Sequence, residues 1–423
     1  MTVELLLAAG VILVCLLASK FSAKLGVPTL LVFIFLGMVF GSDGVFKIQF
    51  DNYSVAEQIC SIALIFIMFY GGFGTNWQKA KTVAVKAVML STVGVLLTAA
   101  ITGIFCHFVL GFGLLESFLI GAVISSTDAA SVFSILRSKR LNLKYNTASL
   151  LEVESGSNDP CSYMLTVIVL SLMNGEASGT HIIYMIFTQV VYGAAVGVVM
   201  ALICHFILTK VKFSNDGFES ILVFSMALVS YALSSVIGGN GYLSTYITGL
   251  ILGNKSFKSK KKLVNFFDGI TGLMQILIFF LLGLLAFPSQ LPQIVLPALA
   301  IALFLTFIAR PISVFAILTP FKCPLKQQLL VSWSGLRGAA SIVFAIMAMV
   351  SPAYIKNDVF HVVFFIVLFS ISLQGTLIPF ISNKLNMIDN NSDVMKTFND
   401  YADEVPVQFL KLKIGNSHPW CDK

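Results

Sequence analysis

The residues with the most chemical potential in this chain lie between Glu152 and Pro160, reading Glu-Val-Glu-Ser-Gly-Ser-Asn-Asp-Pro. They sit inside an otherwise apolar run, Thr147 to Met173, long enough to cross a bilayer. An aspartate at the centre of such a span costs about 2.5–3.5 kcal/mol, so three carboxylates in one span call for a function. Ser155 and Asp159 are four residues apart, as are Glu154 and Asn158, and on a helix they form two adjacent polar pairs. Pro160 has no N–H, which leaves the Gly156 carbonyl without its helical partner and able to face a ligand. A carboxylate, an amide, a hydroxyl and a loosened carbonyl together suit a small dehydrated cation. Asp159 could hold a proton in its place.

Two further polar patches interrupt apolar spans. Ser125-Ser126-Thr127-Asp128 admits two readings. Either the hydroxyls bond back within a continuous helix and Asp128 faces an aqueous vestibule, or the segment unwinds and offers free N–H and C=O groups to a ligand. In an unwound segment Asp128 would balance the positive N-terminal end of a half-helix, a structural role rather than that of ion carrier. The second patch is Ser334-Gly335-Leu336-Arg337-Gly338. A guanidinium at mid-span does not deprotonate and needs a carboxylate, and Glu154 is the preferred partner, giving a structural ion pair between two helices. Arg310, before Pro311 and nearer a span end, can snorkel to the surface and is assigned no transport role. Tyr70-Gly71-Gly72-Phe73-Gly74-Thr75 reads as a tight helix crossing. The five His and seven Cys show no metal or disulfide spacing.

The elements that position these residues follow from composition. Hydrophobic residues make up 57% of the 423 residues and charged residues 11%, against about 25% in a soluble domain. Mean hydropathy is +0.91. This is an all-α polytopic membrane protein, and its net charge of +7 is no sign of nucleic-acid binding. Thirteen spans are expected, near 3–19, 27–44, 55–73, 83–110, 116–136, 147–173, 181–209, 218–237, 241–253, 263–287, 292–319, 328–350 and 358–382. The ninth is short, and should start upstream near Val236 or cross only in part. Eighteen Lys and Arg fall in or beside odd-numbered loops, whereas even-numbered loops hold only Lys47 and Lys356. That alternation places the N-terminus outside and the C-terminus in the cytoplasm. The first run, Val3 to Ala18, lacks a basic leader and reads as a mature helix.

An internal repeat is visible. Asp128-Ala129-Ala130-Ser131-Val132 in span five matches Gly338-Ala339-Ala340-Ser341-Ile342 in span twelve, and the next spans carry Gly156 with Pro160 and Gly375 with Pro379. Seven spans separate the copies, so they insert upside down relative to each other, with a site expected where they meet. Residues 1–383 thus form the membrane domain. Residues 384–423 turn acidic, with a strand-like Val405 to Ile414, and read as a cytoplasmic linker into a regulatory domain.

Ser126-Thr127-Asp128, Glu154-Ser155-Gly156-Ser157-Asn158-Asp159-Pro160 and Gly335-Leu336-Arg337-Gly338-Ala339 together resemble the motifs of NhaP/NHE-type monovalent cation–proton antiporters. The resemblance covers essentially all the spans. It implies two inverted repeats with crossed, broken helices, in a homodimer of thirteen-helix protomers in the cell membrane. It also implies roles: Asp159 carries cation and proton, Asn158, Ser155 and Thr127 support it, Asp128 balances helix ends, and Glu154 with Arg337 is structural. No cofactor is implied beyond the transported K+ or Na+ and H+. The Asn-Asp form resembles electroneutral one-for-one exchangers. Tyr70 to Thr75 lacks the acidic ligand some prokaryotic members carry there, so the chain is more similar to the potassium/proton branch, whose cytoplasmic domains sense nucleotides or ions.

The expected mechanism is competition. Asp159 binds a proton or a cation, and the bare carboxylate is too costly to carry through an apolar barrier, so only loaded carriers switch sides. The alternatives are a Na+/H+ antiporter of the same fold and a cation channel, which would need a continuous pore. An intramembrane enzyme would need a nucleophile–base pair or metal motif, and none is legible.

Overall fold

A computed structural model describes residues 2–389, apart from 26–27, 139–140, 177, 212, 214–216, 258 and 290. Among the described residues each expected span coincides with a helical run, and no strand is formed. By length and composition, seven runs can cross a membrane on their own, for example Tyr53–Gly74, Gly179–Lys210 and Lys260–Leu284. The others are shorter, interrupted or, like the 27-residue span six, too polar to count by composition.

The interruptions are of two kinds. Span five splits into Leu114–Val123 and Ala129–Ser138, and span twelve into Leu325–Trp333 and Ala339–Val350. Spans four, eleven and thirteen stay helical but each contains a π turn, at Leu90–Gly94, Leu305–Ala309 and Ser370–Gly375. An extra residue in a turn rotates everything after it, which re-aims side chains without ending the helix. Span six runs unbroken from Thr147 to Met173 through Pro160.

The ninth span does not begin upstream. It starts at Gly241, capped by the Asn240 side chain, which accepts from the Leu243 N–H, and ends at Gly253 after 13 residues. The chain turns into it through Gly238 at φ +81°, which halts the preceding helix near Val236. This short helix is wedged against spans three and seven. A Cβ on Gly249 would overlap the Phe69 carbonyl, so the span-three and span-nine backbones touch directly.

At its end the described chain folds back. Leu143 and Ile388 form an antiparallel bridge, Lys144 N–H donates to the Met387 carbonyl at 2.9 Å, and Asp389 N–H donates to the Asn142 carbonyl at 2.9 Å. Span thirteen is thereby tied to the loop between spans five and six. The strand-like segment and the regulatory domain expected after residue 390 lie outside the described residues.

Candidate ion site

The unwound segment 125–128 of span five lies against the unwound segment 334–338 of span twelve. A broken helix leaves backbone groups that hydrocarbon cannot satisfy. Here the two breaks satisfy each other: Asp128 N–H donates to the Leu336 carbonyl at 2.8 Å, and Arg337 Nη1 donates to the Ser126 carbonyl at 2.6 Å. The Asp128 carboxylate caps the second half-helix, accepting from Ser131 N–H at 3.2 Å and Ser131 Oγ at 2.5 Å. Of the two readings open for span five, the unwound one holds. The crossing also explains Gly338, since a Cβ there would overlap the Asp128 carboxylate.

Span six lies beside this crossing and presents its polar face to it. Ser155 Oγ donates to the Thr127 carbonyl at 2.7 Å, Asn158 Nδ2 donates to Thr127 Oγ1 at 2.6 Å, and Ser126 Oγ donates to Asp159 Oδ1. Thr127, Ser155, Asn158 and Asp159, named from sequence, are therefore brought together. Asn158 is fully buried, and its Oδ1 has no hydrogen-bond partner among the described residues. Asp159 is 9% exposed and borders a cavity of about 100 Å³, together with Ser126, Thr127, Asp128, Glu152 and Ser155. At roughly 30 Å³ per molecule this holds a few waters or one partly hydrated ion. The facing wall, Leu64, Ile67, Met68 and Gly71 of span three, carries no acid.

The expected Glu154–Arg337 pair is corrected. Glu154 Oε1 pairs with Arg310 Nη2 at 2.5 Å, with the side chains 1% and 3% exposed. Arg337 is instead committed to the Ser126 carbonyl, and its N–H donates to Ser370 Oγ at 3.1 Å. Arg310 does not snorkel. It directly follows the π turn Leu305–Ala309, and Gly335 makes room for it, since a Cβ on Gly335 would lie 2.8 Å from Arg310 Nε. A buried guanidinium left unpaired would cost several kcal/mol, and Glu154 removes that cost.

Other contributors carried no clear sequence signal. Ser126 stood in a quoted motif without a role, yet it bonds Asp159 directly. Asn240 Nδ2 donates to the Pro160 carbonyl at 2.9 Å, and the Tyr246 ring closes over Gly156, where no side chain would fit. Both come from the start and middle of the short ninth helix. Their only visible hint was that this helix is too short to span and must serve another purpose.

A family model described as "Sodium/hydrogen exchanger, transmembrane" matches residues 10–384. The chain belongs to the transmembrane sodium/hydrogen exchanger family. It is a transporter and not an enzyme. Among sodium/hydrogen exchangers, it is 36% identical over 423 residues to the K(+)/H(+) antiporter NhaP of Alkalimonas amylolytica, covering 99% of this chain and 74% of that protein. It is 37% identical over 374 residues to the K(+)/H(+) antiporter NhaP2 of Shewanella baltica, covering 88% of this chain and 64% of that protein. The chain thus spans about two thirds to three quarters of the length of these relatives. Its fold is similar to that of the sodium proton antiporter MjNhaP1 from Methanocaldococcus jannaschii at pH 8, with a TM-score of 0.78 and 25% identity over 90% of this chain and 99% of that one. The crossed, broken helices are thus a feature of an exchanger fold.

Proposed function

We propose that this chain exchanges K+ for H+ one-for-one at Asp159 by alternating access, as a homodimer in the cell membrane with thirteen crossings per protomer, the N-terminus outside and the C-terminus in the cytoplasm. The observation that carries this reading is the Asp159 carboxylate, buried at the helix crossing, bonded by Ser126 and bordering a cavity of about 100 Å³. A group so placed can be neutralised by a proton or by a cation, and not by both together.

Thr127, Ser155 and Asn158 supply the oxygen-bearing surroundings a cation needs after losing water, while Asp128 and Arg337 hold the two breaks in register. The span-six residues that line the cavity precede Asp159, towards the 137–146 stretch with its Arg137, Lys139, Arg140 and Lys144, so we take the vestibule to open on the basic-loop side, the cytoplasmic side in this orientation. The preference for K+ rests on the relatives named K(+)/H(+) antiporters and on the acid-free wall of span three. A Na+/H+ exchanger is the second reading, favoured by the likeness to MjNhaP1.

In proteoliposomes, Asp159→Asn should abolish cation-driven proton flux while the protein still elutes as a folded dimer. Robust flux from that variant would remove Asp159 as carrier. Running K+, Na+, Rb+ and Li+ gradients against one proton readout decides between the cations.

A further inference from the structure

A second cavity, of about 590 Å³ and so several times larger than the ion cavity, lies on the far side of the half-helix Ala129–Ser138. Its walls are Ile12, Leu16 and Ser19 of span one, Pro28 to Phe33 at the start of span two, and Gly269 to Ile276 of span ten. Ser131 and Ile135 close it on the half-helix side. Close-packed proteins carry few voids larger than a water molecule, and an empty one forfeits the contacts of every atom lining it. The size falls within the roughly 300–1,000 Å³ of small-molecule sites.

The lining decides what can fill it. Among the described residues no charged side chain borders the cavity: eight positions carry aliphatic, aromatic or proline side chains, and the polar groups are Ser19, Thr29, Ser131 and Gln275. Such walls exclude ions and reward hydrocarbon. Span one forms the outer wall, and Leu16, which lines the cavity, is 55% exposed, as are Leu13 at 60% and Leu17 at 56% on the neighbouring faces. The apolar lining is therefore continuous with the exposed apolar face of span one. At the opposite end Ser19 is followed by Lys20, the first basic residue of the loop between spans one and two.

We propose that this cavity takes one acyl chain of a phospholipid from the leaflet on the basic-loop side. The chain would rest against the same half-helix whose N-terminus is fixed to the ion site, because Ser131, which lines the cavity, also donates to the Asp128 carboxylate. The half-helix is a partition: Phe133 and the Asp128 cap face the ion cavity, while Ser131 and Ile135 face the lipid cavity. An acyl chain here limits how far that partition tilts.

Two glycines give a clean test. Ideal Cβ atoms on Gly269 and Gly272 meet nothing within 4 Å, so larger side chains there grow into open space. The full chain is reconstituted in vesicles of phosphatidylglycerol and phosphatidylethanolamine containing a phosphatidylethanolamine with a mid-chain diazirine, irradiated, digested and mapped by mass spectrometry. Labels on span one would be expected from any bilayer, so the peptide carrying Ser131 and Ile135 is the readout. It should be labelled in the unaltered protein and lose at least five-fold of that label in Gly272→Leu, with span-one labelling unchanged. Gly269→Leu serves as the second variant, and the melting profile of each shows that it has folded. An unlabelled half-helix, equal labelling in folded Gly272→Leu, or labelling only in detergent and not in vesicles would each overturn the proposal. Transport is not part of the readout, so failure here is separable from failure of Asp159 as carrier.

Discussion

The two helix breaks meet at one crossing but are made of different chemistry. Span five breaks at Ser125-Ser126-Thr127-Asp128, where every side chain has an assigned bond. Ser125 ties back to the Ala122 carbonyl at 2.7 Å, Ser126 reaches Asp159, Thr127 accepts from Asn158, and Asp128 caps the following half-helix. Span twelve breaks at Gly335-Leu336-Arg337-Gly338, where two glycines remove bulk and one guanidinium supplies charge. The inverted copies share a backbone course and divide the work. One brings hydroxyl and carbonyl oxygens to the side of Asp159, and the other supplies space and a guanidinium. An acid at the start of one half-helix and a base in the facing break keep the crossing near neutral without adding charge at Asp159.

This division can be broken from either side. The largest effect is expected at Arg310, which braces the span-twelve break through Gly335 and pairs with Glu154. Arg310→Ala strands a buried carboxylate and should cost about 3–5 kcal/mol of stability, seen as a steep loss of folded protein on thermal challenge in detergent. A Glu154→Leu, Arg310→Met double variant should recover most of it, because neither charge is then left alone. If the single and double variants melt alike, the pair is not what holds these helices.

Gly338→Ala comes next. Its methyl must displace the Asp128 carboxylate, an overpacking cost of about 1–3 kcal/mol, with transport falling more than the melting temperature suggests. The smallest effect is expected for Ser131→Ala, which removes one hydroxyl bond from Asp128 and leaves its bond from the Ser131 N–H, for about 1 kcal/mol. Were Ser131→Ala as harmful as Gly338→Ala, the span-five break would depend on its cap rather than on its close approach to span twelve.

What was legible in the sequence follows the same division. Asp159 and its neighbours stand out because polar groups in an apolar run are costly and must be there for a reason. The span-twelve segment stood out through its arginine, and its break was implied only by the family resemblance. The span-five break stayed undecided, since hydroxyl side chains serve equally in a continuous helix, and only its bonds to Leu336 and Arg337 decide the matter. The partner of Glu154 was out of reach for a different reason. Arg310 directly follows a π turn at Leu305–Ala309, which no residue type marks, and it is buried rather than at the surface. Its place near a span end suggested snorkelling, whereas it turns inward to Glu154. That the ninth helix is short was legible, but its start at Gly241 rather than upstream, and its work as a buttress through Asn240 and Tyr246, were not.

The antiparallel stitch of Leu143 to Ile388, with Lys144 and Asp389 extending it, makes the exit of the last helix and the entrance of span six a single mechanical unit. The chain at residue 389 is thereby anchored between the half-helix Ala129–Ser138 and the root of the helix bearing Asp159.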